Sequence, residues 1–239
     1  MRSLIISIFC VILAYGSSAE ARCACPTYRN ISKNAKNLVL VYTKNALGKH
    51  MGAGSGIIIK QGLVVTALHV VDRPFVKFIF VRIKDGDKTT IKRVEKFISV
   101  PKYDLAYLPI KYKFKSRARL RVTPLVSGEP VYTLGYPLVA KDELPLKARH
   151  KKGFGRFFKY HPSTDLMVET QISTVPIVFG NSGGPLFDSA GNLVGLVRSY
   201  VYFGTALFPG YVFTESIGMG DILNNLPKNF SEKTKKPRR

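Results

Sequence analysis

Apolar residues in this chain come in strand-length runs, each closed by glycine, proline or a cluster of charges, and helical periodicity is scarce. Runs of that length with those boundaries suit extended segments joined by turns, which confines the chain to a mostly β architecture. Strands are expected at Leu38 to Tyr42, Gly56 to Ile59, Val64 to Thr66, Val76 to Ile83, Leu105 to Pro109, Val131 to Gly135, Met167 to Gln171, Leu193 to Val197 and Tyr211 to Phe213. The best helical pattern is Met219 to Leu226, and Pro227 stops it. No internal repeat is visible. The basic segment 111–121 reads as the connection between two halves of one protein.

The turn Ile-Val-Phe-Gly-Asn-Ser-Gly-Gly-Pro-Leu-Phe at 177–187 sets Ser182 in a tight bend between apolar runs. A serine hydroxyl attacks a carbonyl only if a base takes its proton and donors hold the oxyanion that forms. With no Cβ at Gly180, Gly183 and Gly184, the backbone there can turn its amides inward, so the N–H groups of Gly180 and Ser182 are candidates for an oxyanion hole. Of the four histidines, His50, His69, His150 and His161, only His69 follows a buried-strand pattern, Gly-Leu-Val-Val-Thr-Ala-Leu. Asp104, opening the apolar run Asp-Leu-Ala-Tyr-Leu-Pro-Ile, fits the carboxylate that fixes an imidazole tautomer. Asp72 competes for that role, but a triad needs a carboxylate from a distant strand rather than from the same turn. The order His69, Asp104, Ser182, with gaps of 35 and 78 residues, is one of three common triad orders.

On these residues the chain resembles the chymotrypsin-like serine proteases, in particular their bacterial and viral branches. The likeness is carried by Val65-Thr-Ala-Leu-His-Val-Val71, Tyr103-Asp-Leu-Ala-Tyr-Leu108 and Gly180-Asn-Ser-Gly-Gly-Pro-Leu186, with support from 127–137 and 191–197. It implies an all-β fold of two six-stranded antiparallel β-barrels, about 38–118 and 119–216, with the site in the cleft between them and a short C-terminal helix. It also implies a serine endopeptidase that hydrolyses peptide bonds through an acyl-enzyme, with no cofactor and no metal. Asn181 stands where zymogen-activated members have an aspartate, so no inserted N-terminus is expected to switch the enzyme on. Pro176 stands where trypsin-like members select Lys or Arg with an aspartate, which points away from that specificity. The strand Val197, Arg198, Ser199, Tyr200 is expected to bind substrate, with Gly210 near the opposite wall. Tyr200, Phe203, Phe208, Tyr211 and Phe213 either line a pocket for an apolar residue or fill the second barrel. Acidic specificity is left open only by Arg198. High-temperature-requirement proteases resemble the chain around the serine but add peptide-binding domains, and none is expected after Leu226.

Residues 1–21 carry an early arginine, the apolar stretch Leu4 to Ala14 and a small-residue end at Ala19-Glu-Ala21. That is a signal-peptide pattern, and the stretch is short of the ~20 residues needed to span a bilayer. Export to the periplasm or the medium is expected, with 22–37 as an N-terminal segment and 227–239 as a basic tail. Cys10 then leaves with the leader, and Cys23 and Cys25 alone remain. Two cysteines one residue apart do not supply a zinc ligand set, and without disulfides in its body the fold must rest on its core.

The formal net charge of +22 asks for a separate explanation. Lysine and arginine cluster in 111–121, in 147–159 and in 233–239, and such a field attracts anionic surfaces. Membrane, nucleic acid, acidic envelope polymers and acidic substrate proteins all fit. Aromatic and basic residues interleave in the second cluster, read here as a loop, as suits stacking or membrane insertion. A binding protein on a protease fold is therefore the alternative to an enzyme.

Overall fold

The computed structural model describes residues 28–126, 129–137, 154–161, 166–175, 177–205 and 208–230. The first half forms one antiparallel sheet from β1 (Leu38–Lys44), β2 (His50–Lys60), β3 (Leu63–Ala67), β4 (Phe78–Asp85), β5 (Lys88–Val94), β6 (Ile98–Val100) and β7 (Leu105–Pro109), in the order β5-β4-β1-β2-β3-β7-β6. The second half forms another from β8 (Val131–Thr133), β9 (Phe154–His161), β10 (Leu166–Ser173), β11 (Pro185–Asp188), β12 (Leu193–Thr205) and β13 (Phe208–Gly218), in the order β8-β11-β12-β13-β10-β9. Three short helices complete the fold: α1 (Tyr28–Ala35), α2 (Leu68–Val71) and α3 (Met219–Asn224).

The two curled sheets match the expected two-part β fold, and six strands make up the second. The first carries a seventh because the short β6, mostly exposed, adds to the edge of β7. The segment 147–159, read as a loop, is from Phe154 onward a strand in register with β10. Its aromatic-rich sequence Phe-Gly-Arg-Phe-Phe-Lys-Tyr-His has high β propensity, which the basic residues masked. Residues 28–35 of the N-terminal segment are helical.

Local sequence explains the strands. In β4 the run Phe-Ile-Phe-Val-Arg-Ile-Lys-Asp alternates half-buried and buried positions, as a sheet with one face on the core requires. In β3 every residue is buried, so a continuous apolar run replaces alternation. Gly62, at φ +69°, makes the tight turn between β2 and β3.

The largest core cluster is shared between the halves. Leu38, Ile57, Leu63, Leu105 and Tyr107 of the first sheet meet Tyr132, Phe187, Leu193, Leu196 and Ile217 of the second, with Ile222 of α3 among them. A second cluster, including Val39, Val64, Val81 and Leu108, fills the first sheet alone. The connecting segment is stitched to both sides: Ala118 N–H donates to the Ile58 carbonyl at 3.0 Å, and Arg121 N–H to the Leu193 carbonyl at 2.9 Å.

Candidate active site

The end of β3 delivers His69. Directly after Ala67 the chain turns into the single-turn helix α2, whose Leu68, Val70 and Val71 are buried while His69 stays partly exposed. Asp104 sits between a 3₁₀ turn at Pro101–Tyr103 and β7, in the left-handed region at φ +53°. Aspartate tolerates that conformation better than most residues. The pairing of β3 with β7, Ala67 opposite Leu105, brings the two segments side by side.

Asp104 then holds α2 at three points, two of them on His69. Its carbonyl accepts the Leu68 N–H at 2.8 Å. Its carboxylate accepts the His69 backbone N–H at 2.9 Å through Oδ1 and faces His69 Nδ1 at 2.7 Å through Oδ2. A carboxylate on Nδ1 fixes the proton there and leaves Nε2 free to accept another. Asp72 is exposed and its N–H closes α2 by donating to the Leu68 carbonyl.

Ser182 lies on the loop before β11. The Asn181 N–H donates to the Val178 carbonyl at 3.1 Å, and Gly180 is at φ +100°, the pattern of a type II turn with glycine third. Strand β2 seats this loop. Ser55 N–H donates to the Ser182 carbonyl at 2.8 Å, and Ser55 Oγ donates to the Gly180 carbonyl at 2.7 Å while accepting the Tyr136 N–H at 2.8 Å. The loop also presses on the histidine arm. A Cβ built at Gly183 would lie 2.2 Å from Thr66 Oγ1 and 2.7 Å from Ala67 N, and one at Gly54 would lie 2.7 Å from a Val70 methyl and 2.9 Å from the Ser182 carbonyl oxygen. Glycine at these positions lets the serine loop and α2 share one small space. Nearby, burial pushes the Tyr136 phenol above its ordinary range, with Arg82 opposing.

The expected substrate strand is β12. Val197 is bonded on both sides to the serine loop, its N–H to the Gly184 carbonyl and its carbonyl from the Gly183 N–H, each at 2.8 Å. Ser199 and Tyr200 pair with Glu215 and Thr214 of β13, so Gly210 lies four residues closer to the hairpin tip than the partner of Tyr200. Tyr200 is exposed, as are Val178 and Phe179 beside the serine turn. Pro176 lies outside the described residues, as do Cys23, Cys25 and the leader. Arg198 points inward: its Nε lies 3.6 Å from Asp104 Oδ2 and its Nη1 3.5 Å from Glu215 Oε1.

Sequence reasoning missed Ser55, Gly54 and Glu215. The run Gly52-Ala-Gly-Ser-Gly56, unusually small for a strand, was the available signal for the first two. Nothing marked Glu215, whose neighbour is set by strand register.

A histidine fixed by a carboxylate and a glycine-framed serine turn seated on β2 thus lie at the junction of two antiparallel β sheets. The chain belongs to the trypsin-like peptidase domain family, whose profile matches residues 54–196, a span holding His69, Asp104 and Ser182. It is 30% identical over 190 residues to a probable periplasmic serine endoprotease DegP-like of Hahella chejuensis, covering 77% of this chain and 38% of that protein. It is 33% identical over 154 residues to the mitochondrial serine protease HTRA2 of Drosophila erecta, covering 60% of this chain and 33% of that one. The chain thus spans less than half of either relative. Among solved structures, the HtrA-type protease AlgW with tripeptide superposes with a TM-score of 0.62 at 24% identity, over 83% of this chain and 62% of that one. The MamO protease domain from Magnetospirillum magneticum does so at 0.63 and 21%, over 82% and 98%. These likenesses show the fold.

Proposed function

We propose that the protein is a serine endopeptidase in which Ser182 attacks the peptide carbonyl, His69 takes its proton, and Asp104 holds the imidazole. His69 then returns the proton to the leaving amine, and water hydrolyses the acyl-enzyme. The Gly180 and Ser182 N–H groups are assigned to the oxyanion, where losing one donor costs about 2.7–4 kcal/mol in such enzymes. The observation that carries this reading is the double grip of the Asp104 carboxylate on His69, through ring and backbone at 2.7 and 2.9 Å.

For specificity, we read an apolar or small residue before the scissile bond, consistent with the exposed Val178, Phe179 and Tyr200 around the serine turn. Arg198, engaged by two carboxylates, does not suit capture of an acidic side chain. The DegP-like relative of Hahella chejuensis bears a periplasmic name, which agrees with export by a signal peptide. The net charge of +22 supports a second role, attraction of an anionic surface or an acidic substrate.

Labelling with a fluorophosphonate probe tests the catalytic reading. Wild type should label and Ser182→Ala should not, with turnover falling on the order of a millionfold. Absence of labelling in correctly folded wild type overturns it and leaves the basic surface as the working part of the molecule.

A further inference from the structure

Strand β12 breaks register once beside the site. Val197 pairs with Ser216 and Ser199 with Glu215, which makes Arg198 an extra residue in a β-bulge. Bulges re-aim side chains, and this one belongs to an arginine that is only 9% exposed. Its guanidinium lies between two carboxylates, Asp104 at 3.6 Å and Glu215 at 3.5 Å. Glu215 is fully buried, and Ser199 Oγ also donates to it. A buried carboxylate and a buried guanidinium are each costly to desolvate, so such a chain persists where its charges offset one another.

Charge counting gives the chain a purpose. Asp104 alone would set one negative charge against His69. Arg198 against Asp104 would cancel it, and the imidazolium formed during catalysis would face a neutral pair. Glu215 restores the balance, so the three residues together carry one negative charge, as a lone aspartate would. Charged groups just after α2 among the described residues include Asp72, which is exposed, and Arg73, whose exposed side chain donates through Nε to the His69 carbonyl.

We propose that Arg198 and Glu215 are positioning residues that act through Asp104: Arg198 anchors the carboxylate holding His69, and Glu215 supplies the negative charge that keeps His69 a competent base. This deepens the triad reading and rests on it. The reacting atoms are touched by neither residue.

The test compares the pH dependence of fluorophosphonate labelling in wild type, Glu215→Gln, Arg198→Met, Arg198→Lys and the Arg198→Met/Glu215→Gln pair. Glu215→Gln keeps an acceptor for Ser199 but removes a negative charge, so the acidic limb should move to lower pH by about one unit, and labelling at neutral pH should slow. Arg198→Met should move the limb to higher pH by a similar amount, whereas Arg198→Lys, which keeps the charge, should leave it near wild type. The double variant restores one negative charge and should bring the limb back. Limbs that stay together in all folded variants overturn the proposal while labelling itself upholds the triad. If Glu215→Gln does not fold, the Met and Lys variants at 198 decide the matter. If wild type never labels, the triad reading fails, and the ring titration of His69 in the same variants, followed by NMR and assigned with His69→Gln, still reports the charge count. Opposite displacements there support the network, and coincident titrations sink it.

Discussion

Glycines at positive φ are not equivalent in this fold, and the one in the serine turn differs from one in a remote hairpin. Gly86 is at φ +63° with open space where a Cβ would go, so Gly86→Ala meets only the left-handed penalty, about 1–2 kcal/mol, and labelling should be kept. Gly183, at φ +78°, has that penalty and a collision besides. A Cβ there lies 2.3 Å from the Ser55 carbonyl oxygen and 2.7 Å from Ala67 N, backbone atoms that cannot swing aside. The loop must shift by roughly 1 Å, a displacement that can cost about a hundredfold in rate. Gly183→Ala should therefore label on the order of a hundredfold more slowly than Gly86→Ala at comparable stability. Labelling within a few fold of wild type would show that the loop is not seated as described. His69, Asp104 and Ser182 were legible because each lies in a local pattern with chemistry attached. Ser55 and Glu215 were not, because they act through partners 125 and 17 residues distant, and only strand register reveals those.

At the scale of elements, helix α1 shows what local patterning cannot see. Its sequence Tyr-Arg-Asn-Ile-Ser-Lys-Asn-Ala is polar, and the sequence alone gives it only as part of an N-terminal segment with no element assigned. It is held by a tertiary bond pair: buried Asn34 donates through Nδ2 to the Tyr132 hydroxyl at 2.9 Å and to the Gly191 carbonyl at 2.8 Å. Ile31 and Ala35 pack on the shared core beside it. Asn34→Ala strips buried groups of a donor and should cost about 2 kcal/mol in urea denaturation, whereas Lys33→Ala on the exposed side should stay within about 0.5 kcal/mol. Equal, small effects would mean that α1 does not dock. The strands divide along the same line. Strands β3, β4 and β7 were readable as apolar runs. Edge strand β5, Lys-Thr-Thr-Ile-Lys-Arg-Val, has too few apolar residues to be seen alone and exists through its ladder with β4. Hairpin β12–β13 runs beyond both expected segments because pairing across the two strands extends them.

For the molecule as a whole, the shared core ties the two sheets to each other, and buried tyrosines sit at the ties. Tyr107 of β7 donates its hydroxyl to the Ile222 carbonyl in α3, and Tyr132 of β8 receives Asn34 from α1. Burial pushes the phenols of Tyr107, Tyr132 and Tyr136 above their ordinary value of 10, furthest for Tyr107, where Asp221 adds to the effect. A raised folded value means that the native state keeps protons that the unfolded chain releases. Stability from these groups is therefore whole below about pH 10 and falls as pH rises from there toward the folded values, by about 1.4 kcal/mol per pH unit for each group. Neutralising the many lysines over the same range relieves repulsion and acts with the opposite sign, so the raw slope is a mixture. Tyr107→Phe separates the two. It loses a hydrogen bond and is less stable at every pH, but its stability should decline less steeply between pH 10 and 11, by about 1.4 kcal/mol per unit, because one silent proton is gone. Urea denaturation across that range measures the slopes, and phenolate absorbance should show the buried tyrosines among the twelve ionising at higher pH than the exposed ones, Tyr107 last. Equal slopes with all twelve titrating together near pH 10 in the native protein would mean that water reaches the junction, and that the two sheets are not joined by a closed core.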